Sequence, residues 1–103
     1  MDQTTYLQGQ VIEEEIDLTL IELCRACGAP QEQITVWVRE GMLEPSGAQA
    51  QDWRFGGAAL RRTRLAWRLT IDLDINPAGV ALALDLLDEI GALKAELKRR
   101  SAN

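Results

Sequence analysis

Two cysteines spaced as Cys24-x-x-Cys27 are the residues most suggestive of chemistry, either as half of a zinc site or as a thiol–disulfide pair. Zinc needs two more nitrogen or sulfur ligands, and the 103 residues contain no histidine and no third cysteine. A redox pair works when one sulfur is held as a thiolate at a helix N-terminus. These two lie towards the end of a predicted helix, where the dipole opposes an anion. The pair therefore reads as two free thiols that fill core space, as suits a reducing compartment.

The remaining chemistry is excluded on similar grounds. Without histidine there is no serine–histidine or cysteine–histidine nucleophile, and Gly56-Gly57 is too short to cradle a phosphate. The carboxylates fall on predicted helix surfaces or in the run Glu13-Glu14-Glu15, where a solvated face is expected rather than a dry catalytic cleft. No enzymatic activity, cofactor or metal is expected. Arg61, Arg62, Arg64 and Arg68 form the one cluster suited to phosphate, although Arg68 and Asp72 are also spaced for an intrahelical pair.

Any such group must be positioned by helices, because helical periodicity dominates the chain. Thr19 and Glu22 form a capping box that opens a helix over 20–27, with Leu20, Leu23, Cys24 and Cys27 at helical spacing and Gly28 ending it. After Ala29-Pro30 a second helix carries Ile34, Trp37 and Val38 on one stripe and stops at Gly41. Two short helices joined by a tight turn make a helix-turn-helix. The segments 42–45 and 53–55 read as two short strands of a wing around the loop 46–52, with Trp53 and Phe55 sharing a face. Val11 and Ile12 are compatible with an edge strand or an irregular lead-in.

A third helix is expected from Ala58 to about Leu73, with Leu60, Trp67 and Ile71 on its apolar side. Asn76-Pro77 then caps a last helix that continues to about Arg100. Near its start Val80, Leu84 and Leu87 lie beside Ala83, Leu86 and Ile90 as a broad apolar face. Further on only the seam Ala83, Leu86, Ile90, Leu93 and Leu97 survives, alternating by three and four residues. A seam of wet leucines is most economically covered by a second copy, which makes Leu86, Ile90, Leu93 and Leu97 the expected homodimer contacts. Lys94, Lys98, Arg99 and Arg100 sit at the helix C-terminus, where cations are favoured.

Charge bears on the partner. Residues 1–52 hold ten acids and two bases, while residues 53–103 hold six acids and nine bases. In the second helix Glu32 takes a front position and the only base, Arg39, lies at the far end beside Glu40. Base reading uses Arg, Lys, Asn or Gln near the front of that helix, so the shape is kept while the chemistry of direct DNA binding is largely lost. No apolar run is long enough to span a bilayer, and the first residues lack the pattern of a signal peptide, so a cytoplasmic location is expected and no membrane partner.

The run from Thr19 to Cys27, Gly28, and Arg39-Glu40-Gly41-Met42-Leu43-x-Pro45, followed by a wing and a long helix, resembles the MerR-like superfamily. Within it the chain is most similar to the CbpM family of chaperone modulators. The similarity rests on Thr19-x-x-Glu22-Leu23-Cys24, Leu43-Glu44-Pro45, Trp53-x-Phe55, Gly79-Val80-Ala81, Leu86-x-Asp88-x-Ile90 and Leu93-Lys94. The resemblance implies a mainly α fold, a MerR-like winged helix-turn-helix with a long C-terminal dimerisation helix. Residues 1–103 would form a single domain, with the helix-turn-helix, wing and third helix at about 18–75 and the terminal helix at about 76–100. It further implies binding to the J domain of a DnaJ-like co-chaperone, CbpA, with inhibition of its co-chaperone and DNA-binding activities. The surface by which that J domain meets DnaK is basic in the family, so exposed acids are the candidate contacts: Glu13, Glu14, Asp17, Asp85, Asp88 and Glu89. The competing expectation is a MerR-like transcription regulator that uses the arginine row on DNA.

Overall fold

A computed structural model describes residues 15–102. The lead-in containing Val11 and Ile12, and the acids Glu13 and Glu14, lie outside the described residues. The described chain forms α1 (Leu20–Cys27), α2 (Gln31–Arg39), a 3-10 turn (Ala50–Asp52), α3 (Gly57–Asp72) and α4 (Pro77–Ala102). It divides into two compact units, the first ending at Trp67 and the second beginning at Arg68.

In the first unit α1 starts where its local chemistry dictates. The Glu22 N–H donates to Thr19 Oγ1 at 3.2 Å and the Thr19 N–H donates to Glu22 Oε1 at 2.9 Å, the full capping box. Gly28 ends the helix in the left-handed region at φ 73°, and its N–H donates to the Cys24 carbonyl at 2.8 Å. Pro30 takes the N-cap position of α2, just outside the helix, and α2 ends at Arg39 before Gly41, whose φ is 81°. Leu20 and Leu23 of α1 and Ile34 and Trp37 of α2 are buried, joined in the core by Ala29, Met42, Leu43, Phe55 and Ala66. Each large apolar side chain removed from water contributes about 1.5–3 kcal/mol.

The wing differs from expectation. Its two expected strands do not form among the described residues; the segment is held by isolated antiparallel bridges, Leu18 with Phe55 and Ser46 with Arg54. Ser46 and Arg54 exchange backbone hydrogen bonds at 3.1 and 3.0 Å, and Leu18 and Phe55 exchange theirs at 2.9 and 2.8 Å. The loop between them is spent on a tight turn rather than on lengthening the ladder. Gly47 has φ 100°, and a Cβ there would collide with the Asp52 carbonyl. Trp53 and Phe55 do share a face, edge to face with ring centroids 6.2 Å apart.

α3 also departs from its expected apolar side. The residues it buries are Gly57, Thr63 and Ala66, while Leu60 and Trp67 are half-buried and Ile71 is exposed. Small residues face the core because Trp37 fills it, lying edge-on to Trp67 with centroids 6.5 Å apart. The Arg62 Nε–H donates to the Met42 carbonyl at 3.1 Å, which ties α3 to the segment after α2.

In the second unit Asp74 adopts φ 54° after α3, and the Ile75 N–H donates back to the Leu69 carbonyl at 3.2 Å. Asn76 caps α4 as expected, its Oδ1 accepting from the Gly79 N–H at 2.8 Å, and the helix runs to Ala102. Val80 and Leu84 are buried, but Leu87, expected with them, is exposed. The buried stripe of α4 is therefore confined to its first two turns.

Candidate protein-binding surfaces

The cysteines occupy the end of α1 as free, half-buried thiols. Burial raises both above the ordinary thiol value, outweighing the nearby Arg64 guanidinium in the case of Cys27. The Cys27 thiol points at the Leu60 carbonyl, Sγ to O 3.9 Å, and so packs α1 against α3. Protonated, half-buried thiols of this kind are poor nucleophiles. Among the described residues no three histidine, cysteine or carboxylate side chains are grouped where they could hold a metal.

The arginine row is divided between roles. Arg62 is engaged with the Met42 carbonyl, whereas Arg61, Arg64 and Arg68 are exposed on α3. That Arg62 has a structural task could not be read from the sequence, because its acceptor lies twenty residues away.

The expected acidic contacts fall on both units. Asp17 belongs to the first, exposed and 4.0 Å from Arg54. Asp85, Asp88 and Glu89 belong to the second, exposed within about one turn of α4. The expected dimer contacts Leu86, Ile90, Leu93 and Leu97 are 46–65% exposed, so nothing described in this chain covers the seam. Past Leu84 every described residue of α4 is exposed, and the helix is steadied at its end by the Arg100–Glu96 ion pair at 3.0 Å.

The second helix of the helix-turn-helix turns Gln31, Glu32, Val36 and Arg39 outward. A DNA reader would present donors and bases there. This face presents a carboxylate at its front and its single base at its back. Among the described residues no helix is long and apolar enough to cross a membrane.

Comparison with known proteins agrees with this architecture. The family described as MerR HTH family regulatory protein matches residues 18–100. The chaperone modulatory protein CbpM of Coxiella burnetii (strain Dugway 5J108-111) is 36% identical over 92 residues, covering 89% of this chain and 87% of that protein. The protein of the same name from Pseudomonas putida (strain GB-1) is 36% identical over 81 residues, covering 79% and 80% of the two chains. That from Pseudomonas putida (strain W619) is 34% identical over 88 residues, covering 82% and 87%. These names denote modulators and regulators rather than enzymes. A mainly helical fold with a helix-turn-helix, a wing and a long last helix, matched along most of its length by such relatives, places this chain in the CbpM family of chaperone modulatory proteins, within the MerR helix-turn-helix family.

Proposed function

We propose that the protein binds the J domain of a DnaJ-like co-chaperone of the CbpA type and inhibits both its co-chaperone and its DNA-binding activities. The observation that carries this reading is the outward face of α2, which keeps the position of a DNA-reading helix but carries Glu32 beside Gln31 at its front and holds its one base at the far end. A carboxylate in that front position disfavours a phosphate backbone and suits a basic protein surface. The chain acts in the cytoplasm as a homodimer paired through Leu86, Ile90, Leu93 and Leu97 of α4. Asp17, Asp85, Asp88 and Glu89, with Glu13 and Glu14 outside the described residues, contribute long-range attraction.

Calorimetric titration of the full chain into a purified CbpA-type J domain at two salt concentrations tests the reading. Saturable binding that weakens as salt rises is expected. Absence of heat at both salts overturns it.

A DNA-binding regulator is the second reading, favoured by the exposed Arg61, Arg64 and Arg68. It requires tight binding to a two-fold symmetric site with a steep salt dependence, where the first reading requires none.

A further inference from the structure

The exposed large apolar side chains form two groups. In the second unit they run from Ile71 to Leu97 and include the seam assigned above to self-pairing. In the first unit, among the described residues, there are two: Ile21, 54% exposed, and Val36, 39% exposed. Their placement is not scattered. Ile21 lines a cavity of about 510 Å³ together with Gln31 and Gln51. Val36 lines a second cavity, of about 450 Å³, together with Gln31, Glu32 and Arg39. Gln31 borders both, so the two hollows adjoin along the start of α1, the outer face of α2 and the Ala50–Asp52 turn.

Two carboxylates stand at the trough: Glu32 lines the Val36 hollow, and Glu22 accepts from the N–H of Thr19, a residue that lines the Ile21 hollow. The Glu22 carboxyl is held below its ordinary value because the Thr19 N–H donates to it. Arg39 stands at the other end of the trough and is followed at once by Glu40. Apolar anchors in a pocket supply most of the affinity at protein interfaces, while charges at the rim steer and discriminate. The first unit offers its apolar anchors here.

We infer that this trough, lined by Ile21 and Val36 with the Glu22 and Glu32 carboxylates beside it, is the docking site for a basic protein segment that inserts an apolar side chain. The inference rests on the reading of the protein as a J-domain binder and names the place where that partner sits. It moves the main contact away from the acids of α4, which then serve attraction at a distance. In a DNA-reading helix-turn-helix the same face enters the major groove. Here the exposed helix face is kept, and Glu32 with the exposed Val36 suits a protein.

The test is a titration of the isotopically labelled full chain with the purified J domain, following backbone amide shifts, together with calorimetry on variants. Shifts are expected at Ile21, Gln31, Glu32, Val36 and Gln51. Ile21→Ser and Val36→Ser should each weaken binding about tenfold, as expected for the loss of a buried anchor. Glu32→Lys should weaken binding and flatten its salt dependence, and Lys98→Gln should change affinity less than about threefold, as a charge outside the trough does. All four sites are exposed, and circular dichroism confirms that each variant is folded. If wild type binds but shifts cluster on α4 and the two serine variants bind normally, the trough is overturned while the J-domain reading stands. If wild type binds no J domain at either salt, that reading fails and the trough falls with it. Shifts at the trough produced by duplex DNA instead of the J domain also overturn it.

Discussion

Thr63 is fully buried, yet its hydroxyl finds no hydrogen-bond partner among the described residues. An unpaired buried hydroxyl costs about 1–3 kcal/mol of desolvation, and valine has nearly the same shape. Thr63→Val should therefore stabilise the fold by about 1 kcal/mol, read as a higher urea midpoint with an unchanged slope. A lower midpoint would mean that the hydroxyl has a partner in solution. At the surface the capping box sets a pH dependence. The Glu22 carboxyl is held below its ordinary range by the Thr19 N–H, so its stabilising effect is present above the unfolded carboxylate value and is lost as pH falls through the lowered folded value. Glu22→Ala should lower stability at neutral pH, with the difference from wild type shrinking in strong acid. An equal difference across that range would show that the Glu22 charge plays no part in the cap. The core of α1 and α2 was legible in the sequence at this scale, since Leu20, Leu23, Ile34 and Trp37 all lie where their spacing puts them. Arg62 was not, because its role is a bond to a distant carbonyl.

Elements whose ends are written in neighbouring residues were read with little error. Thr19 with Glu22, Gly28, and Asn76 with Pro77 set their boundaries through contacts four residues or fewer apart. The wing depends on pairings across the chain, Leu18 with Phe55 and Ser46 with Arg54, and residue alternation alone could not show that each would remain a single bridge. The face of α3 was misassigned for a related reason. Its large residues look like the core side, but Thr63 and Ala66 are the ones fully buried, while Leu60 and Trp67, the latter edge-on to Trp37, are half-buried. α4 bears the clearest consequence at this scale. Leu93 is 60% exposed in the middle of a heptad seam, so Leu93→Asp leaves the chain's own described core untouched. Sedimentation should show wild type as a dimer and this variant as a folded monomer. A variant that stays dimeric, or a wild type that is monomeric at high concentration, would contradict pairing through the seam.

At the scale of the whole molecule the charge is divided along the chain, ten acids and two bases up to residue 52 against six acids and nine bases beyond it. Such asymmetry governs encounter with a charged partner and is screened by salt within about 10 Å at 0.1 M. Membership of the CbpM family was already visible in ordered short motifs spread from Thr19 to Lys94, each weak alone. The trough on the first unit was not visible, because Ile21, Val36 and Gln51 are brought together only by folding. The most direct test of the central claim is the ATPase activity of DnaK stimulated by a CbpA-type co-chaperone, measured as this protein is added. Stimulation should fall saturably to the unstimulated level near one chain per J domain, and Ile21→Ser should need about tenfold more protein for the same effect. Stimulation that persists in the presence of excess folded protein would contradict the account.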